Sequence, residues 1–265
     1  MTEQSEILLG GNDPPPFQPV NGGSSAPLLI ICDHASNKLP ESVNGLGLPD
    51  AEMDWHIAWD IGAAAITRAL VARLDAAAVL TSYSRLLIDA NRRRGEPESI
   101  PKISDGTVIP DNASMSLAAA HARTKQFFWP YHHAINDQLT RLHALGRVPA
   151  VYSVHTFTPH MEDESRPWHI GVLWKRDDRM VASLLESLPR LNTKLTVGDS
   201  LPYTGTQIAY SLNLHAGLAG FPHVAVEIRQ DLTARGVETE KWAELLAASL
   251  SEIMTIPGLH SAEYY

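Results

Sequence analysis

The sequence predicts a single α/β domain with a central mixed, mostly parallel sheet and helices on both faces. Apolar, β-branched runs of strand length alternate with segments of helical period between residues 26 and 255. Three of these runs, at 26–37, 150–159 and 223–232, are continuously apolar until they end in polar residues, as is typical of strands covered on both faces. No repeat or linker interrupts the pattern, and 265 residues suffice for one core.

Two patterns define the elements: short apolar runs for strands, and apolar positions three or four residues apart for helices. In chain order we expect a strand at 27–32, a helix at 54–74, strands at 78–83 and 85–89, a surface loop at 93–113, a helix at 116–145, strands at 150–154 and 169–174, a helix at 177–188, strands at 194–197 and 222–228, and a helix at 237–253. Residues 1–25 are acidic and proline-rich, and we expect them to form a loose lead-in to one domain at 26–265. Ser114 or Ser116 can cap the long helix, which Pro130 should kink.

Composition narrows the possible functions. The net charge of −9 argues against a nucleic-acid partner, because phosphate contacts need Lys and Arg, but a local arginine pocket still permits a small anionic substrate. Cys32 is the only cysteine, which excludes an intrachain disulfide and the thiolate-rich zinc motifs. Neither a signal-peptide pattern nor an apolar stretch of about 20 residues occurs, so we expect a cytoplasmic enzyme with no membrane partner. The oligomeric state is left open.

Polar side chains that suit a metal site end three of the buried runs. His34, His155 and Glu227 each follow an apolar segment, and parallel strands bring their carboxyl ends to one edge of a sheet, where ligands bind. Two imidazoles with a nearby carboxylate are the components of a hydrolytic zinc site. Asp33 stands beside His34 and is a candidate for its orienting carboxylate.

A second group of candidates lies at 54–60. His56 and Asp60 are four residues apart and would share one face of the predicted helix, as two ligands of one ion or as a ligand and its partner. Asp54 is a candidate cap for that helix. The alternative is a solvated first helical turn whose acidic charge favours the helix dipole.

Two further segments carry candidate substrate-binding groups. Asn91 and Arg92 stand side by side after the run at 85–89, where an amide and a guanidinium can form a fork for a carboxylate. Arg229 lies two residues beyond Glu227 and would either bind substrate or neutralise that glutamate. The histidines of the long helix are expected to be structural, with His132 as the candidate exception, and His215 is ambiguous. Phosphate-loop, HExxH and GxSxG motifs are absent.

Six motifs in one order resemble the N-formylglutamate amidohydrolase family, specifically its "predicted" branch. They are DHASN, HIAWDIGA, SRLLIDANR, SVHTFTP, RPWHIGVLW and VAVEIRQDL, and the resemblance spans residues 27 to 250. It implies a fold similar to that of zinc carboxypeptidases and aspartoacylase, of the zinc-exopeptidase and phosphorylase/hydrolase-like type. It also implies hydrolysis of N-formyl-L-glutamate to formate and glutamate, as in histidine breakdown.

The resemblance assigns roles to individual residues. His34 and His155 match the two zinc histidines of the wider group, Glu227 matches its catalytic glutamate, and 89–92 matches its DLNR motif, with Asn91 and Arg92 at the substrate α-carboxylate. The wider group writes its first ligand pair as HxxE, whereas this chain has Asn37 in the fourth position. The third ligand must therefore come from elsewhere, and we choose His56, with Asp60 and Asp54 as alternatives.

The resulting hypothesis is one Zn²⁺ held by His34, His155 and His56, with Glu227 as general base. Arg85 is a candidate donor to the formyl oxygen. The substrate is a small anionic N-acyl amino acid. Two alternatives stay open: a zinc hydrolase of another amide, such as an N-acetyl amino acid or a peptide C-terminus, and a non-catalytic carboxylate-binding relative.

Overall fold

A seven-stranded mixed sheet forms the centre of the protein in a computed structural model that describes residues 7–161, 164–205, 209–233 and 236–265. Its spatial order is β1-β3-β2-β6-β11-β9-β10. The strands are β1 (Phe17–Val20), β2 (Leu28–Cys32), β3 (Ala77–Thr81), β6 (Ala150–Phe157), β9 (Ile170–Leu173), β10 (Val197–Asp199) and β11 (His223–Arg229). Two short hairpins lie outside the sheet: β4 (Ile103–Ser104) with β5 (Thr107–Val108), and β7 (His160–Met161) with β8 (Glu164–Ser165).

The four strands β3, β2, β6 and β11 are mutually parallel, whereas β1 and β9 run antiparallel to their neighbours β3 and β11. The carboxyl ends of the parallel strands therefore meet at one edge of the sheet. This arrangement confirms the predicted α/β class with a mostly parallel sheet, and it brings the three polar strand ends into one neighbourhood.

Helices cover both faces of the sheet. They are α1 (Ala63–Leu74), α2 (Pro110–Ala113), α3 (Leu117–Arg123), α4 (Trp129–His143), α5 (Val181–Leu191), α6 (Tyr210–Leu212) and α7 (Gly236–Ile253). On one face, side chains of α1, α5 and α7 pack on alternate strand residues such as Ile30 and Val226. On the other face, Tyr131 and Ile135 of α4 pack on the intervening positions, such as Ile31. No described helix has the length and apolar character needed to cross a membrane.

Strand β1 corrects the expectation of a loose lead-in at 1–25 for the described part of that range, 7–25, while residues 1–6 lie outside the described residues. Phe17–Val20 pairs with β3 as the edge strand of the sheet. Pro19 cannot donate a ladder hydrogen bond, but an edge strand has one side without a partner strand and tolerates proline. The proline-rich composition therefore marks an edge rather than an unattached segment.

Two local predictions near the site were wrong. The helix expected from residue 54 begins at Ala63, because residues 50–54 form a 3₁₀ turn and Gly62 adopts the left-handed region at φ 89°. The expected strand at 85–89 is a buried turn: the Leu87 N–H donates to the Ser84 carbonyl, and the Asp89 N–H donates to the Ser99 carbonyl. The apolar side chains of this turn pack in two small hydrophobic clusters beneath the loop at 97–112. The apolar run therefore marks buried residues that are not paired in a strand.

The long helix continues from Leu117 to His143 through a π-helical segment at Thr124–Phe128. Pro130 follows this segment, and its missing N–H is consistent with a change of hydrogen-bond pattern there. The Ser116 hydroxyl accepts a hydrogen bond from the Ala119 N–H at 3.1 Å, so Ser116 is the cap.

Replacing Ser116 with alanine should lower the free energy of unfolding by about 1 kcal/mol, because one N–H at the helix start loses its acceptor. Ser114→Ala is the matched control, since the Ser114 hydroxyl bonds the Pro110 carbonyl instead. Chemical denaturation of both variants checks this. Equal losses of unfolding free energy in the two variants would contradict the assignment of Ser116 as the cap.

Candidate active site

A cavity of about 260 Å³ opens at the carboxyl edge of the parallel strands. The sequence-predicted residues that line it are His34, His56, Asp60, Arg85, Asn91, Arg92, His155 and Glu227. Its charged residues are mostly buried, whereas Ile103 of β4 and Met161 of β7 are exposed lining residues and mark its mouth. The topology thus delivers residues from four strands and their loops to one pocket.

His34 is held between two carboxylates just past β2. Its Nδ1 lies 3.3 Å from Asp60 Oδ2, and its Nε2 lies 2.8 Å from Asp89 Oδ1. The Asp60 N–H donates to the His34 carbonyl, which fixes the loop of Asp60 against the end of β2. Asp60 therefore reaches the site through tertiary contact, independent of any helix shared with His56.

His155 has the same arrangement on β6. Its Nδ1 lies 2.8 Å from Asp60 Oδ2, and its Nε2 lies 3.2 Å from Asp33 Oδ2. Asp33 is itself fixed by the Tyr131 hydroxyl and the Ser211 hydroxyl, which both donate to it at 2.7 Å. The strand continues two residues beyond His155: β6 ends at Phe157, whereas the sequence predicted its end at residue 154.

These side chains form a donor set suited to a divalent metal. One ligand atom from each of His34, Asp60 and His155 lies within 4.8 Å of the others, and all three residues are buried. Both ring nitrogens of each histidine face carboxylate oxygens, which only accept, so the site is built to hold positive charge between the imidazoles and Asp60. A divalent cation bound there would take the two Nδ1 atoms and the Asp60 carboxylate as ligands while Asp89 and Asp33 orient the rings from the Nε2 side, and imidazoles oriented by carboxylates are typical zinc ligands. The residues fit the metal that the resemblance implies.

The buried carboxylates and imidazoles of this group shift each other's pKa values. Burial alone would raise the pKa of the carboxyls of Asp33, Asp60 and Asp89, but the neighbouring imidazoles hold all three pKa values below the ordinary range. Burial alone would likewise lower the pKa of His34 and His155, yet the carboxylates raise both pKa values. The cluster therefore has strong affinity for positive charge.

Glu227 lies next to this set on β11. It is opposite His155 in the register of β11 and β6, so the two side chains lie side by side on one face. Its exposure is 4%, and its Oε2 has no hydrogen-bond partner among the described residues. Burial raises the pKa of this carboxyl to about 7. A buried carboxylate oxygen without a partner, facing a cavity, is expensive unless it is used.

The turn at 85–92 completes the inner wall. Arg85 donates through Nε and Nη2 to Asp89 Oδ2, at 3.2 and 2.8 Å, and its Nη1 lies 3.5 Å from Asp60 Oδ1. The Asn91 Oδ1 accepts from the Ser211 N–H and hydroxyl. Arg92 follows on the cavity wall. Arg85, Asn91 and Arg92 therefore lie together, as expected from the sequence.

The structure does not place His56 with the donor set. Its Nε2 lies 3.0 Å from Asp105 Oδ2 at the mouth of the cavity, and both side chains are one-third exposed. Asp60, the alternative to His56, lies in the candidate donor set instead, because the helix that would have aligned the two residues begins only at Ala63. Asp54 is also outside the group, since it accepts from Asn37 Nδ2 at 3.0 Å.

Arg229 lies outside the cavity lining. It donates to Asp231 Oδ1 at 2.8 Å and to the carbonyls of Arg166 and Pro167. The expected pairing with Glu227 is replaced by this local contact at the strand end, where the backbone turns away. His132 and His215 form a buried pair, with 2.7 Å between Nδ1 and Nε2, and neither lines the cavity.

Sequence analysis missed four parts of the support: the true partner of Asp33, the role of Asp89, and the contacts of Tyr131 and of Ser211. It paired Asp33 with His34, whereas Asp33 contacts His155 and Asp89 contacts His34. Strand periodicity offers a signal: Asp33 shares the face of Ile31, as His155 shares the face of Val151, so both point toward α4. Tyr131 and Ser211 gave no such signal, since their contacts depend on tertiary packing.

Comparisons with known proteins identify the family and the fold. A family model described as N-formylglutamate amidohydrolase matches residues 26–234. A gene product of Agrobacterium tumefaciens has a similar structure, with 30% identity, a TM-score of 0.90, and coverage of 94% of this chain and 98% of that one. An N-formylglutamate amidohydrolase from Ralstonia eutropha shares the fold, with 16% identity, a TM-score of 0.64, and coverage of 90% and 97%. A search of curated proteins found no significant match. The family match covers most of the chain, and the protein therefore belongs to the N-formylglutamate amidohydrolase family.

Proposed function

We propose that the protein is a metal-dependent amidohydrolase that cleaves the acyl amide of an N-acyl amino acid of the N-formyl-L-glutamate type, releasing formate and the amino acid. The observation that carries this proposal is the juxtaposition of Glu227 with the buried group of His34, Asp60 and His155. That combination supplies a cation site and a proton acceptor at the inner end of one cavity.

The metal ligands in this proposal are His34, Asp60 and His155, with Asp89 and Asp33 orienting the two imidazoles. When bound, a zinc-type ion supplies Lewis acidity and makes a water molecule a better nucleophile at neutral pH. Three protein ligands are the usual number for a catalytic zinc, because a position must stay open for the reactants. The protein's part is to hold these donors rigidly, which their burial and shared hydrogen bonds accomplish.

Glu227 is the proton shuttle in this proposal. Its carboxylate takes a proton from the attacking water and later delivers it to the nitrogen of the leaving amine, so the amide C–N bond breaks and one water is consumed. Its position opposite His155 in the strand register fixes it beside the donor set. The unpartnered Oε2 is the oxygen available for this transfer.

Arg92 and Asn91 bind the α-carboxylate in this proposal. Both line the cavity. The side-chain oxygen Oδ1 of Asn91 accepts a hydrogen bond from the Ser211 N–H, which fixes the orientation of the Asn91 side-chain amide. Arg85 is assigned to the acyl oxygen. Its guanidinium is one-quarter exposed and fixed by Asp89, so it can stabilise developing negative charge without reorganising.

Metal analysis combined with a formate-release assay tests the function. We expect about one zinc per chain after supplementation, and formate release from N-formylglutamate or a related N-formyl amino acid that stops on chelation and returns with zinc. N-acetyl amino acids and peptides assayed in parallel test the other amide classes. No stoichiometric metal together with carboxylate binding would favour a non-catalytic relative and would contradict the proposal.

Asp33→Asn should weaken zinc binding about 10–100-fold, because His155 loses the carboxylate that fixes its tautomer and orientation. Competition with a chromophoric chelator measures this without reference to activity. Tyr131→Phe is the matched comparison: it removes one donor to Asp33 but leaves the Asp33–His155 contact, so we expect a smaller loss. Wild-type zinc affinity in Asp33→Asn would contradict the assignment.

A further inference from the structure

Part of the cavity lining is apolar. This apolar wall consists of Ile57, Ile103, Phe157, Met161 and Tyr203 together with Pro101. Ile103 is 61% exposed and Met161 is 37% exposed, although both face the cavity mouth. Large apolar side chains left in water around a concave site are typical of a surface that a ligand covers.

The arginines of the cavity lining can bind one carboxylate of a substrate. Among the described residues that line the cavity, the arginines are Arg85 and Arg92. Arg85 is bonded to Asp89 and lies near Asp60, so its positive charge is already balanced by the protein. Arg92 is assigned to the α-carboxylate. A second substrate carboxylate would therefore meet no further arginine or lysine among the described lining residues, and entering a partly desolvated site without one is costly.

The remaining charged groups at the mouth add to that cost. Glu98 and Asp105 line the same wall as Ile103, and both are acidic. The His56 imidazole is already paired with Asp105 at 3.0 Å. A glutamate side chain extending from the inner site toward this mouth would meet carboxylates and apolar carbon, whereas an apolar side chain would cover Ile103 and Met161.

Arg166 is a described cation close to this lining, and it suggests a different interpretation. It is not itself a lining residue: its guanidinium lies 4.8 Å from the centre of the Tyr203 ring and donates to Met161 Sδ at 2.6 Å and to Thr158 Oγ1 at 3.5 Å. These contacts brace the residues that face the cavity. Arg166 therefore supports the apolar wall in this arrangement, and its substitution separates the two interpretations.

We propose that the amino-acid portion of the substrate is monocarboxylic with an apolar or aromatic side chain, so that N-formyl amino acids such as those of methionine, leucine or phenylalanine are preferred over N-formylglutamate. This inference rests on the proposed function, because it assumes that the acyl group lies at the inner end of the cavity. It identifies Ile103, Met161, Phe157 and Tyr203 as the residues that determine specificity.

The test is a comparison of kcat/KM for the zinc-supplemented enzyme across N-formyl derivatives of L-methionine, L-leucine, L-phenylalanine, L-glutamate, L-aspartate and L-lysine. We expect the best apolar substrate to exceed N-formylglutamate by about tenfold or more, the scale on which an unpaired carboxylate is rejected. A preference for glutamate, aspartate or lysine overturns the inference while leaving the proposed hydrolysis intact.

Binding measurements keep the two proposals separable. Calorimetric Kd values for the same compounds on zinc-supplemented Glu227→Gln protein report side-chain preference without turnover. If the wild-type enzyme releases no formate from any compound but the variant binds the apolar ones more tightly, the proposed function fails and the inference on side-chain class holds. Tighter binding of the acidic compounds overturns it.

Two substitutions locate the preference in the wall. Met161→Lys adds a cation at the mouth and should shift the ratio of kcat/KM toward N-formylglutamate by about tenfold. Leu117→Lys makes the same chemical change at a position 91% exposed on α3 and should leave the ratio unchanged. Arg166→Met should retain the apolar preference. A selective loss of N-formylglutamate turnover in Arg166→Met would instead assign the side-chain carboxylate to Arg166 and overturn the proposal.

Discussion

We expect the Glu227→Gln enzyme to lose about 10²–10⁴ in kcat while binding zinc at wild-type stoichiometry, the range that a general base contributes. Glutamine has the size of glutamate and cannot accept a proton at neutral pH. Glu227 lies beside His155 but outside the group of three candidate ligands. Its substitution should therefore separate proton transfer from metal binding, which substitution of a ligand would not do.

Three measurements are needed to interpret this variant: metal content, thermal unfolding and formate release. Replacing a buried charged group by a neutral one removes a desolvation cost, so we do not expect the variant to be less stable. Glu244→Gln makes the same change on the exposed face of α7 and should keep full activity. Near-normal formate release from Glu227→Gln would show that another group moves the proton. Loss of zinc from it would show that Glu227 is itself a ligand.

The sequence predicted the position of the site better than its ligand set. Continuous apolar runs identified β2, β6 and β11 as central strands, and parallel topology alone then placed His34, His155 and Glu227 at one edge. Their convergence needed no knowledge of loops, because strand ends are fixed by the hydrogen-bond register. Three of the six family motifs, DHASN, SVHTFTP and VAVEIRQDL, lie at these strand ends.

The third member of the candidate donor set could not be deduced in the same way. Asp60 reaches His34 through a loop whose path depends on the left-handed backbone of Gly62 and on a backbone hydrogen bond to the His34 carbonyl. Helical periodicity made His56 and Asp60 equally good candidates for this place, because it assumed a helix that the chain does not form there. Contacts made by irregular segments are encoded in tertiary packing, which period and spacing do not report.

The turn at 85–89 shows a second limit. Leu86 and Leu87 are buried as completely as strand residues, and their apolar pattern alone cannot distinguish a strand from a turn covered by another loop. The consequence is functional, because the turn rather than a strand presents Arg85 and Asp89 toward His34. In a strand these two residues would share a face but lie about 13 Å apart, too far for the Arg85–Asp89 hydrogen bonds.

Gly62→Ala should lower the free energy of unfolding by about 2–5 kcal/mol, the sum of a left-handed backbone penalty and the overpacking of a tight contact. Gly62 has φ 89°, and a Cβ there would lie 2.6 Å from Cβ of Thr233. The neighbouring Ile61 carbonyl accepts from the hydroxyls of both Thr156 and Thr233 at 3.0 Å, so the segment has little freedom to move away.

The matched control for this variant is Gly95→Ala. Gly95 has nearly the same backbone angle, φ 91°, but a Cβ there would meet no atom within 4 Å. It should lose only the backbone component, about 1–2 kcal/mol. Denaturant unfolding of both variants with chelator present measures folding without the contribution of metal binding. Because Gly62 lies two residues from Asp60, Gly62→Ala should also weaken zinc binding, whereas Gly95→Ala should not. Equal stabilities and equal zinc affinities for the two variants would contradict the close contact with Thr233, and with it the explanation of how Asp60 is held in place.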